Sequence, residues 1–100
     1  MPRIGIVGPA SSIEPILDVA SKMELKLDFI PFPYTETQAA ANIVKTNQTY
    51  IDGWLFSGPA PLIVAQSVLA PSAIFACCLN IGASLYRCFI QLSQELNRPV

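Results

Sequence analysis

Arg3-Ile4-Gly5-Ile6-Val7-Gly8-Pro9-Ala10-Ser11-Ser12 carries the pattern that decides the fold. A short β-branched run stops at a glycine-proline pair, and small polar residues then open a helical pattern. Ser11 stands three residues before Glu14, the spacing of a capping box in which each side chain satisfies a backbone amide of the other. Pro15 is expected in the first turn, where amides lack intrahelical partners. Ile13, Ile16, Leu17, Val19, Ala20 and Met23 supply one buried stripe.

The same transition recurs three more times, at Pro31-Phe32-Pro33-Tyr34-Thr35, Ser57-Gly58-Pro59-Ala60 and Asn80-Ile81-Gly82-Ala83-Ser84. Leu25 to Ile30 alternates, which predicts an edge strand with one wetter face, ended by Pro31 and Pro33. Thr35 precedes Gln38 by three, a second capping box opening a helix through about Asn47. That helix is rich in alanine and is expected on the outside. Ile51 to Phe56 reads as the third strand. Pro59 suits the first position of the helix that follows, with Leu62, Ile63, Ala65, Val68 and Leu69 toward the core. Ser72 to Leu79 is uncharged and reads as a strand buried on both faces. The last helix, about Ala83 to Asn97, places Leu85, Cys88, Phe89, Leu92 and Leu96 at helical spacing.

Alternation of strand and helix predicts an α/β fold: residues 1–100 as one Rossmann-like domain, a three-layer doubly wound βαβαβαβα sandwich. Right-handed crossovers favour a four-stranded parallel sheet in the order 2-1-3-4, truncated before a further strand. That order leaves the fourth strand at an edge. Ala73 to Leu79 has none of the charges that guard natural edges. A cover is therefore expected: a fifth strand beyond Val100, or pairing with another copy in a homodimer through the strand-four edge.

Composition narrows the function. Hydrophobic residues make up 52% and charged residues 13% of the chain, an apolar balance suited to strands buried in a parallel sheet. A net charge of −1 with scattered lysines argues against nucleic-acid contact by this segment. No charge falls between Asp52 and Arg87, but prolines and glycines divide that stretch into pieces too short to span a bilayer, so no membrane partner is expected. The amino terminus has no signal-peptide pattern. Three cysteines, Cys77, Cys78 and Cys88, lack metal-ligand spacing, and histidine is absent. They read as small buried hydrophobes in a reducing compartment, with no metal or cofactor.

Parallel sheets take ligands at the carboxyl ends of their strands, near the point where adjacent connections leave to opposite faces. That point lies between strands one and three. Ser11 and Ser12 flank it on one side, Ser57 and Gly58 on the other, and helix amino termini add amides that favour anions. Ser84 can add a hydroxyl, while Tyr34 and Thr35 close the far flank. Each has a plainer role as well. Ser11 and Thr35 suit helix caps, Gly58 suits a tight turn, and Trp54 suits the core. Catalysis is not expected, because a serine nucleophile has no histidine base. Neither a dinucleotide fingerprint nor a phosphate loop is present, and the acids of a phosphorylated receiver are missing.

Ile4-Gly5-Ile6-Val7-Gly8-Pro9 with Ser11-Ser12, and Asp52 to Pro59, together with Ile30 to Tyr34 and Ala83 to Arg87, resemble the amino-terminal sensing domain of certain bacterial transcriptional regulators. Such domains look like half of a periplasmic-binding-protein fold, akin to the sensor of propionate-catabolism regulators. The resemblance implies a cytoplasmic sensor of a small-molecule effector, with DNA binding carried elsewhere in a longer polypeptide. Its junction residues map onto Ser11, Ser12, Ser57, Gly58 and Ser84. The effector expected is anionic or polyhydroxylated. An enzyme fragment with its acids beyond Val100, and a non-catalytic dimerisation module, are the rival readings.

Overall fold

A computed structural model describes residues 2–23, 26–77 and 83–96, with 83–85 described by backbone alone. The elements alternate as expected: β1 (Arg3–Pro9), α1 (Ala10–Lys22), β2 (Asp28–Tyr34), α2 (Ala39–Asn47), β3 (Gly53–Phe56), α3 (Pro59–Ala65), β4 (Ile74–Cys77) and α4 (Ala83–Leu96). All strand pairs are parallel, and the four-stranded sheet runs β2-β1-β3-β4. The fold is the doubly wound α/β sandwich that the alternation predicts.

Two apolar layers flank the sheet. Ile4, Ile6, Leu55 and Ala76 project to one face and bury Ile13 and Ile16 of α1 with Phe89 and Leu92 of α4. Val7, Trp54 and Phe56 project to the other and bury Ala40 and Val44 of α2 with Ala65 of α3. Trp54 is 2% exposed and meets Phe32 at a centroid distance of 5.8 Å, a core residue as its mid-strand position predicts. The α2 helix buries more than its alanines suggest, with Ala40 and Val44 fully enclosed. Among the described residues no helix is long and apolar enough to cross a membrane.

Several boundaries differ from the sequence expectation. Pro9, not Ser11, is the N-cap of α1, in extended backbone, and no side chain caps the helix. Proline has no side-chain acceptor, so the capping box with Glu14 does not form. Starting at Ala10 also moves Pro15 inside the helix, where it offers no amide to the Ser11 carbonyl. Thr35 likewise caps nothing. The α2 helix starts at Ala39 after a turn in which Glu36 and Thr37 carbonyls accept the amides of Ala39 and Ala40, each at 3.0 Å.

Pro31 and Pro33 do not end β2; they lie within it. The Asp28 amide donates to the Pro2 carbonyl, so even-numbered residues of β2 face β1 by alternation. Both prolines therefore fall on the outer side, where a missing N–H costs no ladder bond. In α3, Ile63 is 68% exposed rather than core-facing, because it lies about 200° around the helix from Pro61, which faces inward with Ala65. Nor is β4 buried on both faces: Phe75 is 40% exposed. The expected extension of β4 through Leu79 falls outside the described residues.

Candidate functional site

Parallel pairing puts the described strand-to-helix junctions at one rim, as the sequence pattern requires. At the centre of that rim the Ser57 amide donates to the Val7 carbonyl at 3.0 Å. The Ser57 side chain lies over the α-carbon of Gly8. A Cβ on Gly8 would overlap Ser57 Oγ and lie 2.6 Å from Ser57 Cβ. Glycine is needed here because the end of β1 and the turn after β3 share one space. The switch point between β1 and β3 is thus closed at its floor by Ser57, which is half-buried.

Gly58 follows as the N-cap of α3, with Pro59 at the first helical position as expected. Its φ of −175° is extended backbone that any residue adopts, so the tight-turn explanation fails. A Cβ on Gly58 would meet nothing within 4 Å. Space above this position is open.

The open cleft lies one strand away. Ala10, Pro33, Tyr34, Thr35, Ala39 and Ile43 line a space of about 470 Å³ between the start of α1 and the start of α2, over the end of β2. Register sets its floor, since Pro9 pairs with Tyr34 and Gly8 with Pro33 across β1 and β2. Tyr34 is half-buried and packs toward the layer beneath α2. Thr35 is exposed. A volume of this size suits a small metabolite.

The expected constellation is therefore split. Tyr34 and Thr35 enter the cleft, whereas Ser11, Ser12, Ser57 and Gly58 do not line it. Ser11 is exposed and Ser12 half-buried within the opening turn of α1. The Ser84 side chain lies outside the described residues. Ala10 and Ala39 were the residues to notice: small side chains at two neighbouring helix starts leave the room that larger ones would fill.

The cleft can hold a ligand through hydrogen bonds and apolar contact. The lining offers two hydroxyls and apolar surface, with no formal charge. Among the described residues no group of three or more His, Cys, Asp or Glu side chains gathers to hold a metal. Near the rim, burial and then the neighbouring Cys88 push the Cys77 thiol above its ordinary range, which keeps it protonated and a poor nucleophile. No family model, curated protein or solved structure matches the chain.

Proposed function

We propose that this chain is the effector-sensing domain of a bacterial transcriptional regulator, working in the cytoplasm and binding a small molecule at the carboxyl rim of its sheet. The observation that carries the reading is the cleft beside Tyr34 and Thr35, formed where a parallel sheet presents ligands and lined without a catalytic base. The regulator assignment rests on the resemblance of the rim segments. Ligand binding would bias the position of a linked part, which is how such a domain passes on a signal.

The lining narrows the effector class. It holds no cation, so an anion would meet only amides at the start of α1. An uncharged molecule with an apolar body and one or two hydroxyls fits the walls better.

A melting-temperature screen of the chain against sugars, hydroxylated aromatics, amino acids and small anions tests the reading. A binder raises the midpoint with the logarithm of its excess over Kd. Tyr34→Phe with Thr35→Val should remove most of that rise while leaving the unliganded midpoint nearly unchanged. A flat response across the panel would count against a sensor. A ligand whose affinity ignores both substitutions would move the site elsewhere on the rim.

A further inference from the structure

The two edges of the sheet are built differently. On β2, Pro31 and Pro33 face outward and Asp28 is exposed, features that block pairing with another strand. On β4, Ile74-Phe75-Ala76-Cys77 has no proline and no charge.

Register identifies which β4 groups are free of β3. The Ser57 amide donates to Val7, so odd-numbered residues of β3 face β1 and even-numbered ones face β4. Trp54 pairs with Phe75 and Phe56 with Cys77. In a parallel ladder the residues flanking each such partner make the bonds, which turns Ile74 and Ala76 toward β3. The N–H and C=O groups of Phe75 and Cys77 then point away from β3, to a side where no described strand lies. The Cys77 carbonyl takes a thiol donor, Cys88 Sγ, at 3.7 Å, a weak bond that leaves its second lone pair.

A right-handed connection from α4 would not carry a following strand to this edge. The step from β1 to β2 runs one way across the sheet with α1 on one face. The steps from β2 to β3 and from β3 to β4 run the other way with α2 and α3 on the opposite face. Right-handed crossover ties direction to face. The α4 helix lies on the α1 face, with Phe89 and Leu92 buried beside Ile13 and Ile16. Its last residue, Leu96, reaches within 3.1 Å of a Cβ position on Gly53, at the start of β3 and inward of β4. A right-handed connection from that face leads toward the β2 side.

We propose that β4 pairs with β4 of a second copy about a two-fold axis, joining two sheets into one of eight strands. A two-fold axis through the sheet makes the new pair antiparallel and places the same surface on both sides. No charged residue occurs between Asp52 and Arg87, so the paired strands bring no like charges together. The half-exposed Phe75 ring, edge-on to Phe56 at 6.4 Å, would be covered by the partner. A four-residue ladder buries far less than the roughly 800 Å² per partner of a standard interface, so the dimer is concentration-dependent. The pairing does not depend on what occupies the cleft.

Sedimentation equilibrium of the whole chain across a concentration series tests this, with amide exchange read residue by residue. The expected result is a rise toward twice the chain mass, with Phe75 and Cys77 amides slowing as the dimer fills. Phe75→Lys adds an edge charge, and Cys77→Pro removes an outward N–H without touching the β3 ladder, as Pro31 does on β2. Both should return the mass to that of one chain. Circular dichroism checks that each variant is folded, and exchange in the unmodified chain decides if one is not. A single-chain mass at every concentration overturns the proposal. So do folded variants that still dimerise, or Phe75 and Cys77 amides protected in a monomer.

Discussion

Ser57 and Gly8 occupy one space at the centre of the rim: the serine side chain lies where a Cβ on Gly8 would stand. The contact sets how closely the turn after β3 approaches the end of β1. Gly8→Ala forces either Ser57 or the strand end to move, and overpacking of this kind costs about 1–3 kcal/mol. Ser57→Gly removes both obstructing atoms, so the double variant should recover much of the loss. A double-mutant cycle by urea unfolding measures the coupling. Additive losses would show that the two residues do not share the space.

Gly5 and Gly58 make a second, opposite pair. A Cβ on Gly5 would come within 2.6 Å of Trp54 Cζ3 and 3.0 Å of Phe32 Cε2, two rings already in contact. Neither ring has a flexible end to turn away. Gly5→Ala should therefore destabilise by about 1–3 kcal/mol. Gly58→Ala meets open space in extended backbone, and should hold or raise stability by up to about 1 kcal/mol through the unfolded chain. Thermal or urea unfolding of the two variants separates them by sign.

How much of this was legible in the sequence follows from which signals are local. Glycine-proline punctuation and β-branched runs fixed the order of elements, and crossover handedness then left 2-1-3-4, the observed sheet. Trp54 read correctly as core from its place mid-strand. Capping did not, because Pro9 and Gln38 take the N-cap positions and a Ser-x-x-Glu spacing is silent about which residue bends the chain. Strand ends failed where Pro31 and Pro33 turned out to lie on an outer edge, a fact of pairing rather than of propensity. The described junctions do gather at one rim, and the cavity there opens beside β2, not between β1 and β3. Ser57, expected as a ligand contact, packs against Gly8 outside the cavity, whose room comes from the small residues Ala10 and Ala39, an effect that depends on two helices meeting.

At the opposite end of the sheet, Gln48 ties two connections that sequence separates by some twenty residues. Its Nε2 donates to the Val68 carbonyl at 3.0 Å and its Oε1 accepts from the Ala70 amide at 2.7 Å. The side chain thereby holds the end of α2 against the loop that follows α3, where the polypeptide has no ladder of its own. Gln48→Ala should cost about 1 kcal/mol, since it leaves a partly buried Val68 carbonyl and an exposed Ala70 amide to find water. Gln48→Glu discriminates between bonding and packing. A carboxylate keeps the acceptor for Ala70 but offers Val68 no donor, so it should restore only part of the loss at neutral pH, as read by urea midpoint. Recovery equal to that of glutamine would assign the role of Gln48 to packing and not to its paired hydrogen bonds.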